Sequence, residues 1–219
     1  NLAAVAAFCI VVASPALVSS SCATPKTEQE DTTIIREDSG ITALKYSSPE
    51  VPTSIEFCGK TIDLSRFDRH ERMDRELLAF TYMHSTSLQM LKKANRYFPI
   101  VEPILKENGI PDDFKYLMVI ESNMNPTARS SAGAAGLWQF MQGTGRDYGL
   151  EVNNNVDERY HIEKATRAAC RYLKDAYAKY KDWVAVAASY NAGQARIASQ
   201  LAKQDVDDSL DLQLVEETA

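Results

Sequence analysis

The stretch VIESNMNPTARSSAGAAGLWQF, residues 119–140, decides the fold, because an apolar segment ends within it and a loop of small residues follows. Glu121 closes the apolar segment and is the only acid between Phe114 and Gln142. Alanine, glycine and serine then dominate up to the aromatic Trp138. Small residues let other groups approach the backbone closely, and a single acid beside them indicates a functional site.

The segment before Glu121 has the composition of a helix start. Pro111 suits the first turn, and Asp112 and Asp113 suit the positive end of the helix dipole. Because a residue that precedes proline avoids the helical region, Pro126 predicts the end of this helix.

Glu121 lies on the apolar face of the predicted helix. Phe114, Leu117 and Met118 share that face, since they precede Glu121 at helical spacing. Apolar surroundings and the negative end of the helix dipole both disfavour a carboxylate, so we expect a raised pKa for Glu121. A carboxylic acid that stays protonated near neutral pH serves as a general acid. The alternative is a helix-end glutamate that faces solvent.

The remainder of the chain predicts a mainly α fold. From residue 66 onward apolar side chains recur at helical spacing, at Met73, Leu77, Phe80, Leu88 and Leu91. His84 falls on the same stripe and is interpreted as a core or boundary histidine in preference to a catalytic one. A second, short helix is expected to end at Gly109. Residues 162–180 carry another helical stripe, and residues 182–193 are apolar nearly all round, as in a buried helix. No segment shows the convincing alternation of a strand.

Composition argues against nucleic acid as a partner. The 219 residues carry a net charge of −6 and contain no basic stripe, whereas nucleic-acid binding depends on clustered lysine and arginine. We find neither an HExxH motif nor a paired-cysteine motif, so no metal ion and no cofactor is predicted. Oligomeric state is not indicated.

The chain divides by composition into four parts. Residues 1–21 contain an uncharged apolar run and are interpreted as an export or lipoprotein signal, with an N-terminal membrane anchor as the alternative. Residues 22–65 are polar and are interpreted as a tether and lead-in. Residues 66–205 form the predicted helical domain, and residues 206–219 a C-terminal tail.

Three cysteines bear on export. Cys22 follows small residues, as a lipid-modified cysteine does, although Ser19 stands where bacterial lipoproteins usually carry leucine. Lipidation of Cys22 and an unmodified Cys22 both remain open. Because an exported protein meets an oxidising compartment, we expect Cys58 and Cys170 to form a disulfide, with two buried free thiols as the alternative.

Three short motifs resemble the signatures of family 1 lytic transglycosylases. They are ES at 121–122, GLWQ at 136–139 and SYNAG at 189–193. AGAAGLWQF, TGRDYGL, VDERY and DWVAVAASYNAG are especially similar to the subgroup of membrane-bound lytic murein transglycosylase D. The likeness is dense over roughly residues 105–200. It implies a helical, lysozyme-like domain related to goose-type lysozyme.

The resemblance also implies an activity. Members cleave the β-1,4 bond between N-acetylmuramic acid and N-acetylglucosamine in peptidoglycan, and leave 1,6-anhydro ends. Glu121 would act first as acid and then as base. The absence of a second acid nearby fits this, since a glycoside hydrolase normally needs two carboxyl groups. Two other readings stay open: a lysozyme-like hydrolase that uses water, and a peptidoglycan-binding protein without catalysis.

Further roles follow from the resemblance alone. The substrate-binding residues would be Ser130, Gln139, Met141, Tyr190 and Asn191. Ser122 would support the helix end, and the partner would be the glycan strand. The expected location is the periplasm, attached to the outer membrane through the N-terminal signal or a lipid on Cys22. Trp138 and Tyr148 are interpreted as core aromatics in preference to sugar platforms.

Overall fold

The computed structural model describes residues 49–193, 197–199 and 203, and helices dominate this part of the chain. The predicted signal at 1–21, Cys22, most of the polar lead-in and the tail at 206–219 lie outside the described residues. Among the described residues, no helix combines the length and the apolarity needed to cross a bilayer.

The elements follow one another in a simple order. They are β1 (Ser54–Phe57), β2 (Lys60–Asp63), α1 (Phe67–Tyr82), α2 (His84–Glu107), a 3-10 turn (Asp112–Tyr116), α3 (Leu117–Ser122), α4 (Gln142–Asp147), a second 3-10 turn (Glu158–Tyr160), α5 (Ile162–Tyr180) and α6 (Trp183–Ala192). The fold is therefore mainly α, as the periodicity predicts.

Helix α5 is the centre of the packing, because it touches α2 on one side and α6 on another. Its buried face is built largely of alanine, with Leu173 and Cys170. Alanine allows close approach of neighbouring helices and costs little side-chain entropy. Asp182 caps α6 by accepting a hydrogen bond from the backbone N–H of Val184 at 3.1 Å.

A β-hairpin occupies part of the segment that was predicted to be a polar lead-in. β1 and β2 pair antiparallel, and Phe57 and Ile62 are buried in the same core as the helices. The expectation of no strand is wrong here. Four-residue strands show little alternation, and the turn is made by Cys58 (φ 52°) and Gly59 (φ 77°). Two such left-handed residues form a tight hairpin turn, but Cys-Gly lacks the Asn-Gly signature that would have indicated one.

The helical stripe from Met73 is interrupted at Met83, whose ψ of 42° lies outside the helical region. A break changes which residues face the core, and Leu88 is consequently 60% exposed while Met90 is buried. α2 then continues without interruption to Glu107, through Pro99 and Pro103. The separate short helix expected before Gly109 is therefore the second half of one long helix.

The expected disulfide between Cys58 and Cys170 is not formed. Cys170 is a free thiol, fully buried on α5, with its sulfur 4.0 Å from the carbonyl oxygen of Ile104. Burial raises the pKa of Cys170 to about 11. Cys58 belongs to the hairpin turn, and the carboxylate of Asp113 accepts a hydrogen bond from its backbone N–H at 2.6 Å. Each cysteine thus contacts a different neighbouring element, Cys170 the helix α2 and Cys58 the first 3-10 turn.

The packing of the hairpin predicts that Phe57→Ala lowers the free energy of unfolding by about 3–5 kcal/mol. The Phe57 ring is 2% exposed and lies 6.2 Å from the ring of Phe114, so its removal leaves a cavity. Phe67→Ala is the matched control, because Phe67 is 79% exposed. Urea unfolding of both variants measures the difference, and equal stabilities would show that the hairpin does not belong to the core.

Candidate active site

Glu121 lies in the last turn of α3, on a helix that is buried almost throughout. The chain then turns sharply, because Asn123 (φ 49°) and Met124 (φ 51°) are both left-handed. Met124 donates its N–H to the carbonyl of Met118 at 3.1 Å, which closes the helix end. Two consecutive left-handed residues that are not glycine cost backbone energy, and such strain concentrates at functional sites. The helix thus ends before Pro126 is reached.

The environment of Glu121 favours its neutral form. Burial raises the pKa of Glu121 to about 7, as its place on the apolar face predicts. In the described part of the chain no neighbouring carboxylate contributes to this shift. Asp157 pairs with Arg159, which lowers the pKa of Asp157. Glu121 is therefore poised between its acid and base forms near neutral pH.

The turn that carries the GLWQ motif is fixed by the other two motifs. Ser122 Oγ lies 3.0 Å from the carbonyl oxygen of Leu137 and 3.0 Å from that of Met118. The hydroxyl of Tyr190, on α6, donates to the carbonyl oxygen of Trp138 at 2.8 Å. Three segments distant in sequence therefore meet at one turn.

Gln139 occupies this turn in a left-handed conformation with a φ of 49°. Its side-chain Nε2 donates to the carbonyl of Gly136 at 2.7 Å and reaches that of Ala128 at 3.3 Å. These bonds hold the carboxamide in one orientation. These bonds use only the amide nitrogen of the side chain, so the carboxamide oxygen remains to accept a hydrogen bond from a ligand.

Tyr190 lies close enough to Glu121 for the two groups to affect each other. Burial raises the pKa of Tyr190 well above its ordinary value, and the Glu121 carboxylate raises it further. The phenol accordingly stays neutral and remains a hydrogen-bond donor. Its ring packs edge-on against Tyr172 at 5.2 Å and lies 6.5 Å from the ring of Trp138.

Trp138 is a core residue. It is fully buried, and its indole N–H donates to Thr166 Oγ1 at 2.9 Å. Tyr148 is partly buried and packs edge-on against Tyr172 at 5.3 Å. Both observations agree with the interpretation of these aromatics as packing residues.

The remaining predicted substrate residues are placed less centrally. Ser130 is exposed, and its hydroxyl oxygen accepts a hydrogen bond from the backbone N–H of Ala134 at 3.0 Å, within the small-residue loop. Met141 is exposed at the start of α4. Asn191 lies in α6, and its side chain is outside the described part of the molecule. Of the predicted set, the structure brings together Glu121 and Tyr190, with Gln139 in the adjoining turn.

Arg159 is a site residue that the sequence reasoning missed. It is 5% exposed, and its Nη1 donates to the carbonyls of Gly133 at 2.8 Å and Phe140 at 2.9 Å. Asp157 accepts from Nε and Nη2 at 2.9 and 2.7 Å. The only sequence signal is an arginine two residues after an aspartate in VDERY, which gives no hint of the distant carbonyls.

The site contains no evident place for a metal. In the segments that the structure describes, no three histidine, cysteine, aspartate or glutamate side chains converge as metal ligands. The functional groups that the described residues bring to this site include the carboxyl group of Glu121, the phenol of Tyr190 and the carboxamide of Gln139.

Comparison with known proteins identifies relatives of this domain. A family model described as the transglycosylase SLT domain matches residues 99–211. Membrane-bound lytic murein transglycosylase D of Escherichia coli K12 is 31% identical over 128 residues, which is 58% of this chain and 27% of that protein. Peptidoglycan transglycosylase gp16 of Escherichia phage T7 is 33% identical over 95 residues, or 42% of this chain and 7% of that protein.

A third relative carries a different name. The putative tributyltin chloride resistance protein of Alteromonas sp. strain M-1 is 23% identical over 117 residues, which cover 53% of this chain and 56% of that protein. The chain spans about a quarter of the length of the murein transglycosylase that it matches.

Because Arg159 lies so close to the turn, we expect Gly136→Ala to cause a large loss of thermal stability. A Cβ at Gly136 would stand 2.0 Å from the carbonyl oxygen of Arg159, and the φ of 78° adds strain. Gly133→Ala is the matched control, because Gly133 has a φ of 91° but no neighbouring atom within 4 Å. We expect Gly136→Ala to lower the melting temperature clearly more than Gly133→Ala does. Equal losses in differential scanning calorimetry would contradict the close approach.

The raised pKa of Glu121 predicts a pH-dependent cost to stability. Between the ordinary pKa of 4.5 and the folded value of about 7 the native state keeps a proton that the unfolded state releases. The contribution of Glu121 to the free energy of unfolding is therefore fully present below pH 4.5 and is lost as the pH rises through 7. The loss is on the order of 3 kcal/mol.

Glu121→Gln removes this dependence. The variant should gain stability relative to the wild type as the pH rises from about 5 to 8, with a plateau above that range. Glu71→Gln, at an exposed position on α1, corrects for the loss of one carboxyl group. Melting temperatures of the three proteins against pH measure the effect, and parallel curves for Glu121→Gln and wild type would contradict it.

Proposed function

Because the chain belongs to the transglycosylase SLT domain family, we propose that it is a peptidoglycan lytic transglycosylase that uses Glu121 as its only acid and base. The substrate bond would be the β-1,4 bond from N-acetylmuramic acid to N-acetylglucosamine, and the product a 1,6-anhydro sugar. The observation that carries the proposal is the half-buried carboxyl group of Glu121, whose burial raises its pKa to about 7, beside the neutral Tyr190.

The first step uses Glu121 in its protonated form. The carboxyl group donates its proton to the bridging oxygen as the bond from this oxygen to the anomeric carbon breaks. A group with a pKa near the working pH is efficient at this, because a large fraction of it is protonated while the proton still leaves readily.

The second step uses the same group as a carboxylate. It accepts the proton of the 6-hydroxyl group while that oxygen attacks the anomeric carbon and closes the anhydro ring. Glu121 ends protonated, as it began, and no water is consumed. A hydrolase with two carboxyl groups would need a second acid at a defined separation. Support for one-carboxyl chemistry comes from the absence of any described carboxylate that affects the pKa of Glu121.

The other predicted residues would bind and orient the glycan. Gln139 would accept a hydrogen bond from a sugar through its carboxamide oxygen, because its nitrogen is already bonded to backbone carbonyls. Ser130 and Met141 are exposed and would contact the strand beyond the reacting bond, together with Asn191. Ser122 would keep the end of α3 against the turn.

We also place the protein in the periplasm, where murein is accessible. The relative named membrane-bound lytic murein transglycosylase D supports this location. Outer-membrane attachment would depend on the export signal at 1–21 and on lipidation of Cys22, both of which precede the described residues.

The test is to identify the products that the protein releases from purified peptidoglycan. Wild-type protein should release muropeptides with anhydro ends, each lighter by one water than the corresponding reducing end. Glu121→Gln keeps the shape of the side chain but cannot transfer protons, so turnover should fall by at least about 100-fold. Glu71→Gln should retain the wild-type rate. Mass spectrometry of the soluble products measures both.

The same experiment separates the competing functions. Products that carry water in place of the anhydro ring would identify a lysozyme-like hydrolase. Binding of peptidoglycan by folded wild-type protein without any release would identify a binding protein. Release of anhydro products by Glu121→Gln at the wild-type rate would assign the acid to another residue.

A further inference from the structure

We propose that Arg159, aligned by Asp157, is a positioning residue that fixes the 136–140 turn and thereby holds Gln139 ready for the glycan. This inference rests on the proposed function, because it assigns to the turn a role in binding peptidoglycan. Arg159 itself is 5% exposed and is not a substrate contact. It acts through the backbone of the loop in which Gln139 stands.

The guanidinium group joins two ends of one loop. Its Nη1 donates to the carbonyl of Gly133 at 2.8 Å, before the turn, and to that of Phe140 at 2.9 Å, directly after Gln139. A single planar group therefore ties the two ends of the segment together, in addition to the backbone bond from Ala135 N–H to the Phe140 carbonyl at 3.0 Å. Arginine suits this task because its donors are rigidly arranged, whereas lysine offers one flexible ammonium group.

Asp157 determines the orientation of the guanidinium group. Its two carboxylate oxygens accept from Nε at 2.9 Å and Nη2 at 2.7 Å, in a bidentate pair. Asp157 also accepts a hydrogen bond from the backbone N–H of Arg159 at 3.2 Å, and its backbone pairs with that of Val152 in an isolated antiparallel β-bridge. The pair is thus anchored to a segment that lies outside the loop it holds.

The backbone of Arg159 provides a second, independent contact with the turn. Its carbonyl oxygen lies so close to Gly136 that a Cβ there would be 2.0 Å away. Gly136 accepts the hydrogen bond from Gln139 Nε2 at 2.7 Å. The main chain of residue 159 therefore packs against the residue that orients the Gln139 side chain.

Gln139 needs such support because its conformation is strained. A left-handed glutamine is disfavoured relative to ordinary backbone geometry, and it persists only where the surroundings hold it. When the Phe140 carbonyl loses its bond to Arg159, it keeps only the bond from the backbone N–H of Ala135 at 3.0 Å, and the turn that contains Gln139 is held less firmly. The carboxamide then leaves the orientation in which its oxygen accepts from the sugar.

A double-mutant cycle between Arg159 and Gln139 tests the proposal. The four proteins are the wild type, Arg159→Lys, Gln139→Ala and the double variant. We measure kcat and KM on soluble peptidoglycan fragments, and affinity for insoluble peptidoglycan, at a temperature where circular dichroism shows full folding. Arg159→Lys should lower kcat/KM by about 10- to 100-fold, the size of loss that a small misplacement causes. The pH–rate profile should keep its wild-type position, since Glu121 is untouched.

The cycle distinguishes positioning from general stability. If Arg159 acts through Gln139, the double variant is no slower and binds no more weakly than Gln139→Ala alone. Lys115→Met is the control, because Lys115 is a mostly buried cation that bonds Glu102 and Asp112 away from the turn. It should lose stability but keep its turnover while folded.

Several results would overturn the inference. Wild-type activity in Arg159→Lys, or losses that multiply in the double variant, would show that Arg159 does not act through Gln139. If Arg159→Lys fails to fold, Asp157→Asn takes its place in the cycle. We then expect a smaller loss of kcat/KM, which again does not add to the loss caused by Gln139→Ala. If the wild type releases no anhydro products, the proposed function fails, but the affinity cycle still decides whether Arg159 positions Gln139.

Discussion

The backbone carbonyls of the 136–140 turn are the constraint on which the site depends. The carbonyl of Leu137 accepts a hydrogen bond from Ser122, that of Trp138 from Tyr190, and that of Phe140 from Arg159. Side chains from α3, α6 and the 157–160 segment therefore all bind carbonyl groups of this one turn. Buried carbonyl groups must find partners, because an unpaired one costs free energy. In meeting that requirement the chain also brings the acid, the phenol and the glutamine to one place.

The core beneath this turn is what makes the arrangement rigid. Trp138 is fully buried and is tied through its indole N–H to Thr166, which in turn donates to the carbonyl of Ile162 on α5. The central helix of the domain therefore supports the turn from below. Because protein interiors are closely packed and transmit small displacements, we expect a change in this part of the core to affect the site.

In the proposed mechanism, function and stability oppose each other at Glu121. A carboxyl group on a buried helix face is costly once it ionises, and the left-handed Asn123 and Met124 add strain at the same helix end. An exposed glutamate would avoid this cost, but its pKa would lie too low for proton donation near neutral pH. The domain maintains the strained site because the surrounding helices are well packed.

The sequence by itself determined the helical class, the bounds of α5 and the position of Glu121 on an apolar face, because these follow from periodicity within one segment. The pKa of Glu121 was predictable for the same reason: its apolar neighbours are three, four and seven residues away. Only the tertiary structure decided the hairpin, the helix break at Met83 and the hydrogen bonds from Arg159 to the 133–140 loop. Short strands and a helix break carry weak local signals, and Arg159 bonds carbonyls 19 and 26 residues distant. A backbone carbonyl is the same in every residue, so no sequence pattern marks the one that a distant side chain will meet.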